Sequence, residues 1–277
     1  MALSISLRLF AAGVSVAAAV CAAPAHAGAI RNASEFTDFT LGANDDGSTG
    51  LVDIGFSVNF FGLNATKLYV NNNGNVTFDG PLSAFTPFDL ASTNRQIIAP
   101  FFADVDTRGI GSGLTQYGTG TVDGRNAFGV NWIDVGFYSQ RTNPLNSFQL
   151  IVIDRSDTGA GNFDFEFNFD RIQWETGEAS GGDSSGLGGD SVRVGWSNGN
   201  LNTFELAGSA INGALLDSGA NALVSNSLNS AVDGRYVFNV RNGQVQPPSG
   251  VPEPGSLALV AAALLGLGAA RRAKRTV

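Results

Sequence analysis

From Val52 to Phe60 every second residue is apolar (VDIGFSVNF), the period of a strand with one face in a core. The same alternation returns at Phe163, Phe165, Phe167 and Phe169, set against Asp164, Glu166, Asn168 and Asp170. It predicts a strand with a buried aromatic face and a polar face in water. The runs Lys67–Asn71 and Asn75–Asp79 flank Asn72-Asn73-Gly74, and an Asn-Gly pair between β-type runs predicts a hairpin turn. Gln96–Asp104 is a continuous apolar run broken by Pro100, which predicts a bulge or an edge position. Further runs at Asn126–Tyr138, Ser147–Asp154, Ser191–Ser197, Asn202–Leu206 and Arg235–Val240 bring the expectation to about ten strands. A sustained helical period is missing; only Leu82–Asp89 suggests a short turn. Many short strands over residues 28–242 predict an all-β, single-domain antiparallel sandwich or jelly-roll. Two polar stretches interrupt the pattern: Gly42–Gly50 (GANDDGSTG), and Gly177–Asp190 (GEASGGDSSGLGGD), expected to be mobile.

Composition agrees and removes whole classes of chemistry. With 36 Gly and 20 Phe against 16 Lys and Arg together, the chain is built for turns and strands rather than a helical bundle. Its one Cys, one Met and one His are Cys21, Met1 and His26. All three lie in a segment expected to be removed. A mature chain without thiol or imidazole has no Ser-His-Asp triad, no Cys-His nucleophile, no His- or Cys-bound zinc and no disulfide.

The two ends read as addresses. Residues 1–27 carry Arg8, an apolar stretch from Leu9 to Ala23 and the small-x-small pattern Ala25-His26-Ala27, the features of a signal peptide cut between Ala27 and Gly28. At the other end, residues 243–250 (GQVQPPSG) read as a semi-stiff linker. Val251-Pro252-Glu253-Pro254-Gly255 then leads into an apolar run ending at Ala270, followed by Arg271, Arg272, Lys274 and Arg275. Residues 255–270 would span about 24 Å as a helix, short of a roughly 30 Å hydrocarbon core. The expectation is a transient transmembrane anchor in the inner membrane, its basic residues acting as a stop on the cytoplasmic side.

The tail 251–277 resembles the PEP-CTERM sorting signal: a Pro-Glu-Pro box, a short transmembrane helix and an arginine cluster, in that order. The resemblance implies sorting by exosortase, a membrane protease-transpeptidase of exopolysaccharide-producing Gram-negative bacteria, with Val251, Pro252, Glu253 and Pro254 as the sorting motif. It implies secretion through the inner membrane and a final place on the cell surface or in the extracellular matrix.

Without the two ends, the body keeps 11 basic and 23 acidic residues, a net charge of −12, with Lys67 its single lysine. Nucleic acid is therefore not an expected partner, since phosphate contacts need stripes of Lys and Arg. Tyr69–Phe78 (YVNNNGNVTF), Ile97–Arg108 (IIAPFFADVDTR) and Ala127–Trp132 (AFGVNW) together resemble the nidogen-like (NIDO) extracellular domain, with Phe102 where that family often has Trp. The resemblance runs from about residue 40 to 206 and implies a non-catalytic domain associated with cell–matrix adhesion. The Cys-rich neighbours of animal relatives are absent from this sequence, so no animal matrix partner carries over.

Several groups are candidates for chemistry. Asp104 and Asp106 flank one residue and would lie about 6.5–7 Å apart on one strand face. That spacing suits a calcium ion, an acid/base pair for glycoside hydrolysis, or a strand cap paired with Arg108. Asn44-Asp45-Asp46-Gly47 offers hard oxygen ligands without the spacing of an EF-hand. Trp132, Trp174 and Trp196 are either a sugar-stacking platform or core. The function expected is that of a non-enzymatic surface or matrix protein in adhesion or biofilm architecture, partnered by exosortase and by exopolysaccharide or matrix components. No cofactor is required, calcium being the one considered. The alternatives are a carbohydrate- or calcium-binding module and a carboxylate-dependent hydrolase.

Overall fold

The computed structural model describes residues 28–248. The expected signal peptide with Ala27, the sorting residues Val251–Pro254, the apolar run 255–270 and the basic residues Arg271, Arg272, Lys274 and Arg275 lie outside the described residues. Among the described residues no helix is long and apolar enough to cross a membrane. Thirteen strands form two antiparallel sheets, interrupted only by four one-turn 3-10 segments. The seven-stranded sheet has the order β1 (Phe39–Thr40), β6 (Thr115–Val122), β7 (Arg125–Phe137), β8 (Arg141–Asp154), β9 (Phe163–Arg171), β12 (Arg235–Arg241), β13 (Gln244–Val245). The six-stranded sheet runs β11 (Thr203–Glu205), β10 (Arg193–Asn198), β5 (Gln96–Phe102), β4 (Asn75–Thr77), β3 (Leu63–Asn71), β2 (Val52–Phe60).

The alternating strands supply the core between the sheets. Ile54, Val58 and Phe60 of β2 and Phe101 of β5 meet the aromatic row of β9 and Trp132 and Phe148 of β7 and β8. Each fully buried Phe contributes about 1.5–3 kcal/mol relative to exposure. Phe165 also stacks on Phe238 of β12, with centroids 4.8 Å apart. Pro100 sits on an interior strand, not an edge: β5 pairs with β4 on one side and β10 on the other. The sheet accommodates it through a bulge, Pro100 and Phe101 together facing the single residue Val194.

Of the polar face of β9, Asp170 is exposed, but Asp164, Glu166 and Asn168 are buried. Arg155 and Arg241 cover Asp164, and the first residues of the described chain run past Glu166 as a strap. Arg31 grips Glu166 through Nε and Nη2 at 2.6 and 2.8 Å, and its backbone N–H donates to Gln149. Arg235 donates to the Ala29 carbonyl from the other side. Phe36 ends the strap in a small apolar cluster with Val122, Ala127, Ile151 and Ile153. Gly129 makes room for it, since a Cβ there would lie 2.3 Å from Phe36 Cγ.

The loop 177–190 is folded on itself. Asp183 accepts from the Ser185 and Leu187 amides, and the Gly188 amide donates to Asn212. Residues 82–89 form an irregular cover on the outer face of the smaller sheet, where Leu90, Ile97, Ala99 and Phe102 are buried beneath Leu82, Ala84 and Phe88. Of the stretch expected as a linker, Gln244 and Val245 join the larger sheet as β13.

Candidate functional site

The Asn-Gly turn lies at the centre of the site, at one end of the sandwich. It is a hairpin turn as expected, with Asn71 opposite Asn75, yet Asn71, Asn72, Asn73 and Asn75 are all buried. Their amides act as staples. The Asn72 side chain donates to the Asp45 carbonyl at 2.5 Å and the Val105 carbonyl at 2.6 Å, and its backbone N–H donates to Gly47 O. Asn73 accepts from the Val105 amide at 3.0 Å and donates to Asp46 Oδ1 at 2.9 Å. Trp132 Nε1 reaches into the turn to donate to Asn72 O at 3.0 Å. The loop 42–50 is shaped locally by Asn44, whose Oδ1 accepts from the Gly47 amide, and is fastened to Thr107 through three further hydrogen bonds.

This scaffold gives the two carboxylates of Asp104-Val105-Asp106 different partners. Asp106 is consumed locally: Arg108 Nε and Nη2 donate to it at 2.9 and 2.7 Å, and the Gln140 amide at 2.8 Å. Burial works to raise its carboxyl, but these donors hold it below the usual carboxylate range. Arg108 also donates to Asp45 Oδ2 at 2.9 Å.

Asp104 has no such donors. It is 1% exposed, and neither carboxylate oxygen has a hydrogen-bond partner. Gly177 closes over it; a Cβ there would stand 2.2 Å from Asp104 Oδ2. One oxygen each from Asp45, Asp46 and Asp104 lie within 4.8 Å of one another, and Asp45 Oδ1 is likewise buried without a partner. Burial, reinforced by Asp45, Asp46 and Asp106, pushes the Asp104 carboxyl up to about 8. Burial and the charges of Asp106 and Asp46 push Asp45 up to about 6. Such a set of hard oxygens can hold a cation. The sequence offers each half separately, Asp45-Asp46 in one polar loop and Asp104 after an apolar run, with no signal joining them.

Other candidates are placed differently. Trp132, Trp174 and Trp196 belong to the core. Trp174 Nε1 donates to Val135 O, and Trp196 packs at 5.3 Å on Phe61. They form no surface platform.

Comparison with known proteins accounts for most of this body. The nidogen-like domain model matches residues 66–120 and 110–242. The chain belongs to the nidogen-like domain family. Alpha-tectorin of Mus musculus is 35% identical over 240 residues, covering 76% of this chain and 10% of that protein. Alpha-tectorin of Homo sapiens is 35% identical over 236 residues, with the same shares. Nidogen of Drosophila melanogaster is 24% identical over 235 residues, 74% of this chain and 16% of that protein. The chain thus spans about a tenth of the length of the alpha-tectorins it matches. No solved structure matches it. The PEP-CTERM protein-sorting motif matches residues 250–273, which contain the Pro-Glu-Pro box and the first two arginines of the basic cluster, Arg271 and Arg272. The nidogen-like protein is therefore secreted to the cell surface or extracellular space of a Gram-negative bacterium, and its motif implies processing by the membrane protein exosortase.

Proposed function

We propose that this nidogen-like protein is a non-catalytic component of the cell surface or extracellular matrix, acting in adhesion or in the architecture of a biofilm exopolysaccharide. The observation that carries the reading is the union, in one chain, of a nidogen-like domain with a PEP-CTERM sorting motif. The site chemistry supports it. The described residues hold no His or Cys, and of the carboxylate pair first suited to acid/base work Asp106 is neutralised by Arg108. With its tryptophans in the core, the domain offers no exposed tryptophan on which sugars would stack, so a matrix role would rest on polar surface and multiple copies rather than on a sugar-stacking cleft.

In this reading the tail holds the protein in the inner membrane until exosortase acts at Pro252-Glu253-Pro254. Two prolines keep the box extended and free of helix, a form that a processing enzyme can bind along its backbone. Replacing Pro252, Glu253 and Pro254 together by alanine is expected to leave full-length protein in the inner-membrane fraction of a host that encodes an exosortase. Wild type should appear at the surface, shortened at its C-terminus, as read by fractionation and mass spectrometry. Surface delivery of the triple variant at the wild-type level would overturn the reading.

A further inference from the structure

Three carboxylates at one end of the sandwich have less positive charge around them than their number requires. Asp45 shares Arg108 with Asp106, while Asp46 receives only an amide hydrogen bond from Asn73. No ion pair to Asp104 is present among the described residues, and its two oxygens are buried without any donor. A buried carboxylate without partners is costly, and protonation would not cure it, because a neutral carboxyl still needs an acceptor for its O–H. A cation at this point would meet one oxygen of each of the three carboxylates.

We propose that Asp45, Asp46 and Asp104 bind one calcium ion, which clasps the loop 42–50 to the end of β5. Three observations fit calcium. The donors are all carboxylate oxygens, the choice of hard cations rather than of zinc or copper. Oxygens sharing one calcium at about 2.3–2.6 Å lie no more than about 5 Å apart, and these three lie within 4.8 Å. Asp104 and Asp45 together present three oxygen atoms that are buried and unbonded, so ligation would displace no existing hydrogen bond at those atoms. Water completes the six to eight positions calcium prefers, on the partly exposed Asp46 side. The raised Asp104 and Asp45 carboxyls, at about 8 and about 6, describe the same shortage of positive charge.

The ion would have a structural office. Its ligands come from two segments 58 residues apart, Asp46 and Asp104, both stapled by Asn72 and Asn73. Gly177 lies against Asp104, so the loop 177–190 packs over the site from a third direction. Calcium would lock three loops at one end of the sandwich, and would do so only where calcium is plentiful, outside the cytoplasm.

The test uses the full chain in detergent, stripped with chelator and titrated calorimetrically with calcium chloride, then with magnesium chloride. One calcium per chain is expected, with a dissociation constant of about 0.1–1 mM, the range of extracellular modules. Melting should shift upward by several degrees in 10 mM calcium. Asp104→Asn and Asp46→Asn should each weaken binding at least ten-fold and remove the melting shift, whereas Asp123→Asn, at an exposed position, should leave both unchanged. Should Asp104→Asn fail to fold, the half-buried Asp46→Asn decides. Folded wild-type chain without calcium uptake, magnesium binding of equal strength, or wild-type affinity in Asp46→Asn would each overturn the proposal.

Discussion

Replacing Gly74 by alanine should cost the domain about 2–5 kcal/mol, the sum of a left-handed backbone penalty of about 1–2 kcal/mol and overpacking of about 1–3 kcal/mol. Gly74 has φ +70°, and a Cβ there would stand 1.8 Å from Phe101 O and 2.8 Å from Phe101 C. Both are backbone atoms of an interior strand, tied to the turn by the Phe101 N–H donating to Gly74 O at 3.1 Å. The turn cannot retreat without releasing Asn73 and Asn72 from their staples. Gly62→Ala is the comparison: φ is +91° but nothing lies within 4 Å of the added carbon, so only the backbone penalty applies. At roughly 2–4 °C per kcal/mol for a domain of this size, thermal melting should separate the two variants clearly. Equal melting temperatures for Gly74→Ala and Gly62→Ala would show that the turn is free to move.

Trp132→Ala should be as damaging, at about 3–5 kcal/mol for a large buried aromatic. The ring is fully buried, stacked on Phe148 at 5.2 Å and 14°, and its Nε1–H donates to Asn72 O. Trp132→Phe divides these contributions. It retains an aromatic ring against Phe148 and loses the indole donor, while Asn72 O keeps its bond from the Gly74 amide. That variant should lose about 1–3 kcal/mol, from one hydrogen bond and the smaller ring. Urea unfolding followed by the fluorescence of the remaining tryptophans measures both. A phenylalanine variant as unstable as the alanine variant would mean that the hydrogen bond, rather than the ring stack, dominates.

The sequence was most legible where a strand has one apolar face and its neighbours are near in the chain. The alternation of Val52–Phe60 and the Asn73-Gly74 turn both lead directly to elements of the structure. Strand β6, TQYGTGTV, escapes such reading because it has glycines where a strand usually carries bulk. Those glycines answer to the strap: a Cβ at Gly118 would meet Asp38 and one at Gly120 would meet Phe36, at 2.7 and 2.8 Å. The polar face of β9 misled for the same reason. Period-two alternation reveals which residues are apolar, but not whether a distant segment will cover the others. Arg31 lies 135 residues before Glu166, and nothing local to either announces the pairing. The candidate cation site repeats the lesson: each carboxylate could be suspected from its own neighbours, while their convergence depends on a turn whose asparagines signalled only a hairpin.

The strap also sets a schedule. In a chain that crosses the membrane from its N-terminus, Ala29 and Arg31 emerge early, but Arg235, which holds Ala29, follows 206 residues later. The larger sheet therefore cannot close its outer face until β12 is across. Pro252 comes 11 residues after Arg241, the last residue of β12, and 7 after Val245, the last residue of β13, so the sorting motif arrives almost together with the last strands. In the proposed reading, where the tail holds the protein in the membrane until it is cut, the waiting strap has time to find its partner before the protein is set free. Release would then be timed to completion, and a domain that drifted away with Glu166 uncovered would be rare.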